Sequence, residues 1–246
     1  DIENIRAEAQ SLAKKGYSEI VLTGIHLTSF GTEIGDKSIT DVLKMLHEID
    51  GIKRIRLGSL ERNDALFDVV KNSAQLPKLC PQFHISLQSG SKTVLKRMNR
   101  RYTPQEYADA VNLICKTFDN AAVTTDIIVG FPGETEEEFN ETLEFVKSVE
   151  FTKIHIFPYS AREGTPASKM ENQIDEVIKK QRAKRLQQIA DTVQKASFEK
   201  CMGKTFSLLA ELQLENGMYT GHLENYMVAE VYSNEDIRKQ IVDIKV

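Results

Sequence analysis

Polar side chains alternate with apolar ones along two short runs of the sequence, although a strand buried on both faces is normally apolar throughout. His84, Ser86 and Gln88 share one face of FHISLQ, and Thr124 and Asp126 share one face of VTTDIIVG. A buried polar group loses free energy unless it is hydrogen bonded. Such faces on neighbouring strands favour a polar, ligand-binding cavity.

Two further runs extend this pattern. Arg54 and Arg56 share one face of RIRLGS, and His155 interrupts KIHIFPY. The cavity is the interpretation we favour, and the alternative is that some of these side chains face helix ends or solvent.

Loops rich in glycine and small polar residues follow the apolar runs. They are TGIHLTSFG, GSLE, QSGS, GFPGET and YSAREGTP. Glycine lets the backbone approach a ligand closely, and ligands of α/β folds gather at the carboxyl ends of the strands. These loops are therefore candidate ligand contacts. For Glu136, Glu137 and Glu138 we favour a simpler interpretation, as favourable charges at a helix N-terminus.

Strands and helices alternate through most of the chain. The predicted strands are EIVLTG, RIRLGS, FHISLQ, VTTDIIVG and KIHIFPY, which begin roughly thirty residues apart, the length of one strand–helix unit. Helix starts are marked by Ser38, by Thr103 before Pro104, and by Thr135 with Glu138. This order predicts a parallel α/β sheet, and we favour a barrel or partial barrel over an open sheet.

The last part of the chain has a different pattern of apolar and polar residues. One long helical pattern covers residues 173–200, and short β-type runs separated by turns follow Gly203. The apolar positions of the helix are Ile174, Ile178, Leu186 and Ile189. We expect a connecting helix followed by a small all-β barrel.

Composition excludes several broad classes of protein. The chain has 246 residues, of which 41% are hydrophobic, and this excludes a disordered protein. A net charge of −4 argues against general DNA or membrane binding, so any nucleic-acid contact must come from local basic patches. Cys80, Cys115 and Cys201 have no CxxC spacing, which favours inert thiols in a reducing cytoplasm over disulfides or a metal site.

Four long strings together carry a family resemblance. TGIHLTSFG, FHISLQSGSKTVLKRMNRRYT, TTDIIVGFPGETEEEF and IHIFPYSAREGTPA resemble the radical-SAM tRNA methylthiotransferases, in that family's order. The branch they resemble most acts on threonylcarbamoyladenosine beside the tRNA anticodon. The β-rich tail resembles the family's terminal TRAM domain, a small RNA-binding barrel.

The resemblance implies a fold, cofactors and a reaction. It implies a partial (β/α) radical-SAM barrel without its first strand over residues 1–170, a long helix over 171–203 and a TRAM-like β-barrel over 204–246. In the family, one [4Fe–4S] cluster reduces S-adenosylmethionine and a second delivers sulfur, so that a methylthio group is added to C2 of the modified adenosine. The implied partner is tRNA, and the resemblance implies no oligomeric state.

The sequence departs from the family at the cluster motif. The family holds its first cluster in a CxxxCxxC loop, and Cys80, Cys115 and Cys201 do not have that spacing. We therefore expect this chain to bind no cluster, to carry no catalytic residue and to be inactive alone, with Asp1 placed shortly after the missing loop. Arg62 stands where the family has proline.

The resemblance also implies cofactor and RNA contacts, which we assign to residues of this chain by their position in the shared motifs and by their charge. Residues expected to bind S-adenosylmethionine are Thr23, Gly24, Ser59, Glu61, Gln88, Ser89, Gly90, Asp126, Gly130, Phe157 and Tyr159. Residues expected to bind tRNA phosphates are Lys96, Arg97, Arg100 and Arg162. For each residue a purely structural role is the alternative. The tail is net negative, so an RNA contact there would depend on stacking by Tyr219, Tyr226 and His222.

Other functions stay open. The chain could come from a methylthiotransferase of another branch, with an isopentenyladenosine tRNA or a ribosomal protein as substrate. It could instead be a non-catalytic RNA-binding module, or an unrelated barrel enzyme that binds a phosphorylated metabolite.

Overall fold

The computed structural model describes residues 2–31 and 37–246, which form seven α-helices and ten β-strands. The helices are α1 (Ile2–Lys14), α2 (Ile39–His47), α3 (Asp64–Ser73), α4 (Lys92–Arg97), α5 (Pro104–Thr117), α6 (Glu136–Ser148) and α7 (Glu176–Glu199). The strands are β1 (Glu19–Leu22), β2 (Arg54–Leu57), β3 (Ser59–Leu60), β4 (Gln82–Ile85), β5 (Ala122–Val129), β6 (Lys153–Pro158), β7 (Thr205–Gln213), β8 (Met218–Leu223), β9 (Val228–Tyr232) and β10 (Ile241–Lys245). Asp1, expected just after a missing loop, lies outside the described residues.

The local signals in the sequence are confirmed. All five predicted runs contain a strand, and α2 and α5 begin directly after Ser38 and Thr103. At the start of α6, the Glu138 N–H donates to Thr135 Oγ1 at 3.2 Å, and the Thr135 N–H donates to Glu138 Oε2 at 3.0 Å. This reciprocal pair satisfies two N–H groups that a helix start leaves unpaired.

The chain forms two compact units. The first contains the described residues up to His84 together with 114–122 and 201–246, and the second contains 85–113 and 123–200. Domain boundaries at 170/171 and 203/204 stay a prediction. None of the helices in the described residues combines the length and the apolar character needed to cross a lipid bilayer.

The first unit contains parallel and antiparallel strands. β1 and β2 run parallel, with Ile20 opposite Ile55. The C-terminal strands form an antiparallel sheet in the order β10-β7-β8-β9. Its buried side is a small core formed around Phe206, Leu208 and Leu223.

Two buried arginines attach the C-terminal sheet to β2. Arg54 and Arg56 are 4% and 3% exposed. Arg54 donates to Ser207 Oγ at 2.7 Å, and Arg56 donates to the Glu224 carbonyl at 3.0 Å and to Glu19 Oε1 at 3.1 Å. These arginines therefore do not form part of a cavity, as their alternation in the sequence had suggested. They satisfy backbone and carboxylate groups inside the first unit.

The second unit contains parallel strands covered by helices. β5 and β6 are parallel, with Asp126 opposite His155, and the chain beyond β4 runs parallel to β5 through a bridge between Gln88 and Ile127. Tyr107 of α5 is fully buried and donates to the Ile85 carbonyl at 2.6 Å. The α/β class and the parallel pairing predicted from the sequence are thus confirmed.

The buried face of helix α7 overlaps the one its apolar residues predict only at Leu186. Its buried residues are Lys179, Arg182, Leu186 and Ala190, whereas Ile178 is 41% exposed. The long helix is confirmed, and Asp175 caps its start by accepting from the Val177 N–H at 2.7 Å. Two cations on the buried face have ion-pair partners, which is the condition for burying a charge.

We expect Glu19→Gln to lower the free energy of unfolding by about 3 kcal/mol, because it leaves two buried guanidinium groups short of a negative charge. Urea unfolding at neutral pH would measure this change. The matched variant Glu48→Gln alters an exposed carboxylate and should change stability by less than about 0.5 kcal/mol. Equal stabilities of the two variants would contradict this role for Glu19.

Candidate functional site

A cavity of about 400 Å³ lies in the second unit, at the carboxyl ends of β5 and β6. Its lining residues are Gln88, Asp126, Ile128, Phe157, Pro158, Tyr159, Ser160, Arg162, Thr165 and Ala167. Five of them were predicted from the sequence as cofactor or RNA contacts, although they come from three separate segments. The structure therefore brings together residues that motif position and charge had singled out in the sequence.

Gln88 lines the cavity from a strained backbone conformation. Its φ of 70° is in the left-handed region, which residues other than glycine, asparagine and aspartate seldom adopt. Both of its backbone groups are bonded to β5: the N–H donates to the Asp126 carbonyl at 2.8 Å, and the carbonyl accepts from the Ile128 N–H at 2.9 Å. Both backbone groups of Gln88 are therefore hydrogen bonded, and a ligand would be contacted by its amide side chain.

Asp126 places a carboxylate in the cavity lining. The Ser86 hydroxyl donates to Asp126 Oδ2 at 3.1 Å. Ser86 and Asp126 are both among the polar residues whose alternation predicted a cavity. A carboxylate held in this way is suited to accept hydrogen bonds from hydroxyl or amino groups of a ligand.

Two aromatic residues form the β6 side of the cavity. Phe157 is 50% exposed, whereas Tyr159 is 9% exposed. The Tyr159 ring makes an edge-to-face contact with Phe131, at 5.3 Å between centroids. Its buried hydroxyl has no hydrogen-bond partner among the described residues. Aromatic faces beside polar groups are the usual lining of a site for a flat, hydrogen-bonding ligand.

Ser89 and Gly90 are packed against α6. Ser89 is fully buried, and its hydroxyl hydrogen bonds with Thr142 Oγ1 at 3.2 Å. A Cβ on Gly90 would lie 2.7 Å from Thr142 Cα and 2.8 Å from Phe145 Cβ, so only glycine fits there. These contacts give both residues a structural role, and cofactor binding by them stays a prediction.

Gly130 and its loop are fixed by a buried ion pair. The Gly130 N–H donates to Glu134 Oε2 at 2.7 Å, and Arg182 NH1 donates to the same oxygen at 2.7 Å. Burial raises the pKa of the Glu134 carboxyl, while the Gly130 N–H and Arg182 act in the opposite direction. The sequence did not indicate this ion pair, because Glu134 and Arg182 lie 48 residues apart along the chain.

The remaining predicted cofactor contacts belong to the first unit. Thr23 and Gly24 are exposed directly after β1, and Ser59 begins β3. Glu61 follows β3 and pairs with His26, with 2.9 Å between Oε1 and Nδ1. Their contact with a cofactor stays a prediction.

The predicted RNA contacts differ in their surroundings. Lys96 and Arg100 are exposed, and Arg162 is exposed at the cavity. Arg97 instead forms a two-pronged ion pair with Glu138, at 2.9 and 2.5 Å, so part of its charge is already neutralised. Arg97 thus has an acidic partner, Glu138, that lies 41 residues further along the chain.

The cysteine thiols are unsuited to metal binding. Cys80 and Cys201 are buried, and Cys115 is exposed. Burial raises the pKa of Cys80 to about 12 and also raises that of Cys201, which disfavours the thiolate forms that bind metals. In the described part of the chain, no group of three close metal-ligating side chains contains a cysteine.

Comparison with known proteins identifies the family. The model of the radical SAM superfamily matches residues 1–146, more than half of the chain. The chain belongs to the radical SAM superfamily. The methylthiotransferase resemblance in the sequence agrees with this membership.

Two relatives of this radical SAM chain match its whole length. The threonylcarbamoyladenosine tRNA methylthiotransferase MtaB of Bacillus subtilis (strain 168) is 40% identical over 251 residues, which cover 100% of this chain and 56% of the relative. The tRNA-2-methylthio-N(6)-dimethylallyladenosine synthase of Clostridium tetani (strain Massachusetts / E88) is 38% identical over 249 residues, covering 100% and 55%. The chain thus spans about half the length of the curated relatives it matches.

A solved structure supports the fold. Coproporphyrinogen III oxidase (HemN) from Escherichia coli, a radical SAM enzyme, superposes with a TM-score of 0.57 at 16% identity, covering 78% of this chain and 45% of the oxidase. Similarity at this level of identity concerns the fold alone.

The Arg97–Glu138 pair predicts a dependence of stability on pH. Hydrogen bonds from Arg97 hold the pKa of Glu138 at about 2, below its ordinary 4.5. A depressed pKa stabilises the folded state above pH 4.5, and this contribution is lost as the pH falls towards 2. We therefore expect the difference in stability between wild type and Glu138→Gln to be constant around neutral pH and to shrink as the pH falls from 4.5 to 2.

Thermal unfolding across this pH range would measure the difference. Glutamine retains the helix-capping geometry, so the comparison isolates the charge. Glu141→Gln, on the exposed side of α6, serves as the control and should show no such trend. A difference for Glu138→Gln that stays constant down to pH 2 would contradict the ion pair.

Proposed function

We propose that this chain is the S-adenosylmethionine-binding part of a tRNA methylthiotransferase, which adds a methylthio group to C2 of threonylcarbamoyladenosine beside the anticodon. The observation that carries the proposal is the convergence of Gln88, Asp126, Phe157 and Tyr159 on one cavity of about 400 Å³. The cavity volume suits a nucleoside-sized ligand. Membership in the radical SAM superfamily and relatives that carry this activity in their names support the choice of cofactor and reaction.

The cavity has the groups that a nucleoside requires. The aromatic side chains of Phe157 and Tyr159 suit a flat base, and the Asp126 carboxylate suits hydroxyl or amino groups. S-adenosylmethionine bound here would supply the hydrogen-abstracting radical once a cluster of the full-length enzyme reduced it, and a second molecule would supply the methyl group; the chain's part is to bind and orient the adenosyl end.

The cysteines of this chain do not fit an iron–sulfur cluster. Such clusters need converging thiolates, whereas Cys80 and Cys201 are buried with raised pKa values and Cys115 is exposed. The proposal therefore assigns no step to a cluster held by this chain. Two [4Fe–4S] clusters belong to the full-length enzyme in this proposal, and the chain alone is inactive.

A TRAM-like role in tRNA binding is proposed for the C-terminal sheet. Its exposed aromatic residues include Tyr226 and Tyr232, at 48% and 61% exposed, and His222 stacks on Tyr226 at 4.5 Å. Tyr219, named with them from the sequence, is 2% exposed and cannot stack on a base. Exposed rings suit unpaired nucleotides, because stacking tolerates the net negative charge of this region.

The substrate can be identified by comparing the modified nucleosides in tRNA from cells with and without the gene for this protein. We expect the methylthio form of threonylcarbamoyladenosine to be present with the gene and absent without it, as judged by mass spectrometry of digested tRNA. Loss of methylthio-dimethylallyladenosine instead would assign the protein to the branch of the Clostridium tetani relative. Unchanged tRNA nucleosides would contradict the proposed function.

The same assay tests the cavity through Asp126→Asn in the full-length protein. We expect about tenfold less methylthiolated nucleoside, because a carboxylate–ligand hydrogen bond is replaced by a weaker one. Asp191→Asn, at an exposed position of α7, is the matched control and should retain activity.

Charge reversal tests the basic surface formed by Lys96 and Arg100. We expect Lys96→Glu with Arg100→Glu to weaken tRNA binding and to make its salt dependence less steep, because fewer counterions are released. Lys184→Glu with Lys195→Glu makes the same charge change on exposed positions of α7 and is the control. Equal weakening by both double variants, measured by filter binding over a salt series, would show a general effect of charge rather than a site.

A further inference from the structure

The peptide unit between Leu87 and Gln88 is hydrogen bonded at both of its polar ends. Its N–H, from Gln88, donates to the Asp126 carbonyl at 2.8 Å. Its carbonyl, from Leu87, accepts from the Tyr102 hydroxyl at 3.0 Å. This peptide unit comes directly before the φ of 70° at Gln88, so its orientation helps to set the direction in which the Gln88 side chain leaves the backbone.

The Tyr102 hydroxyl binds two successive carbonyl groups. It lies 2.9 Å from the carbonyl oxygen of Ser86 and 3.0 Å from that of Leu87. A phenolic hydroxyl has one proton to donate, so the two carbonyl oxygens share it in a three-centre bond. The hydroxyl therefore restrains the chain over the two residues that precede Gln88.

Tyr102 is itself held in place by the start of α5. The Thr103 N–H donates to Glu106 Oε2 at 2.7 Å, and the Glu106 N–H donates to Thr103 Oγ1 at 3.2 Å, which fixes the backbone next to Tyr102. The Tyr102 ring lies 6.4 Å from the ring of the fully buried Tyr107, between centroids. The hydroxyl thus acts from a fixed anchor.

Gln88 needs this restraint because its own conformation is unfavourable. A residue other than glycine stays in the left-handed region only where its surroundings over-determine it, and such residues cluster at ligand sites. Gln88 lines the cavity, whereas Tyr102 is not among the lining residues. A ligand in the cavity would therefore contact the Gln88 amide and would depend on Tyr102 only through Gln88.

We propose that Tyr102 is a positioning residue of the cavity: its hydroxyl holds the peptide unit between Leu87 and Gln88 so that the Gln88 amide forms one hydrogen bond with a bound nucleoside. The inference rests on the proposed function for the identity of the ligand. It adds a residue from the connection between α4 and α5 that acts on the ligand through Gln88.

The test is a double-mutant cycle on nucleoside binding. The affinity of this chain for 5′-deoxyadenosine and for S-adenosylhomocysteine would be measured by titration calorimetry, for which no cluster is needed. We expect Gln88→Ala to weaken binding roughly fivefold, the usual effect of losing one neutral hydrogen bond. Tyr102→Phe should reproduce most of this loss, and the double variant should be no weaker than Gln88→Ala alone.

The choice of variants separates this role from general effects. Alanine at position 88 keeps the Cβ, and hence the backbone strain, while the amide is lost. Tyr17→Phe removes the same hydroxyl from a tyrosine that is 56% exposed in the first unit, and it should leave the affinity unchanged. Effects of Tyr102→Phe and Gln88→Ala that multiply in the double variant, or no effect of Tyr102→Phe, would overturn the inference.

Hydrogen exchange followed by NMR decides the role of Tyr102 even without a ligand. In Tyr102→Phe, the backbone amides of Gln88 and Ile128, which join this segment to β5, should exchange roughly fivefold faster. The Tyr159 amide, bonded to the Val129 carbonyl at 2.8 Å, should keep its rate. If wild type binds neither nucleoside, the proposed ligand is wrong, whereas equal acceleration of all three amides, or unchanged rates, would refute the positioning role itself.

Discussion

The cavity depends on the way the chain beyond β4 is joined to β5. Gln88 adopts a φ of 70°, and its N–H and carbonyl are bonded to Asp126 and Ile128 at 2.8 and 2.9 Å. These two bonds offset the strain of the left-handed conformation and set the register of the segment. Without them, Gln88 would not join Asp126 and the end of β6 in one cavity lining.

Polar residues on the strands have three different roles in this chain. Arg54 and Arg56 bind the C-terminal sheet within the first unit. Thr125 donates to the Ile85 carbonyl at 2.7 Å and so holds the segment beside β5. Asp126 lines the cavity. The need to pair buried polar groups is common to the first two roles, and the third places a carboxylate in the cavity lining.

The sequence predicts most of what local interactions determine. Strand runs and helix caps were located correctly because caps such as Thr135 with Glu138 act within one helical turn. Of the cavity residues, Gln88 and Asp126 followed from alternation along strands, whereas Phe157, Tyr159 and Arg162 followed from motif position and charge. On the buried face of α7 only Leu186 was predicted, because a pattern of apolar residues treats Lys179 and Arg182 as solvent-facing. Their burial depends on Gly130 and Glu134, which are distant along the chain.

In the proposed function, the cavity binds the adenosyl part of S-adenosylmethionine. A crystal structure of this chain grown with saturating 5′-deoxyadenosine tests it most directly. We expect the nucleoside inside the cavity, in contact with Asp126 and Tyr159. A cavity that holds only water under these conditions, or a nucleoside bound at another part of the chain, would contradict the proposed function.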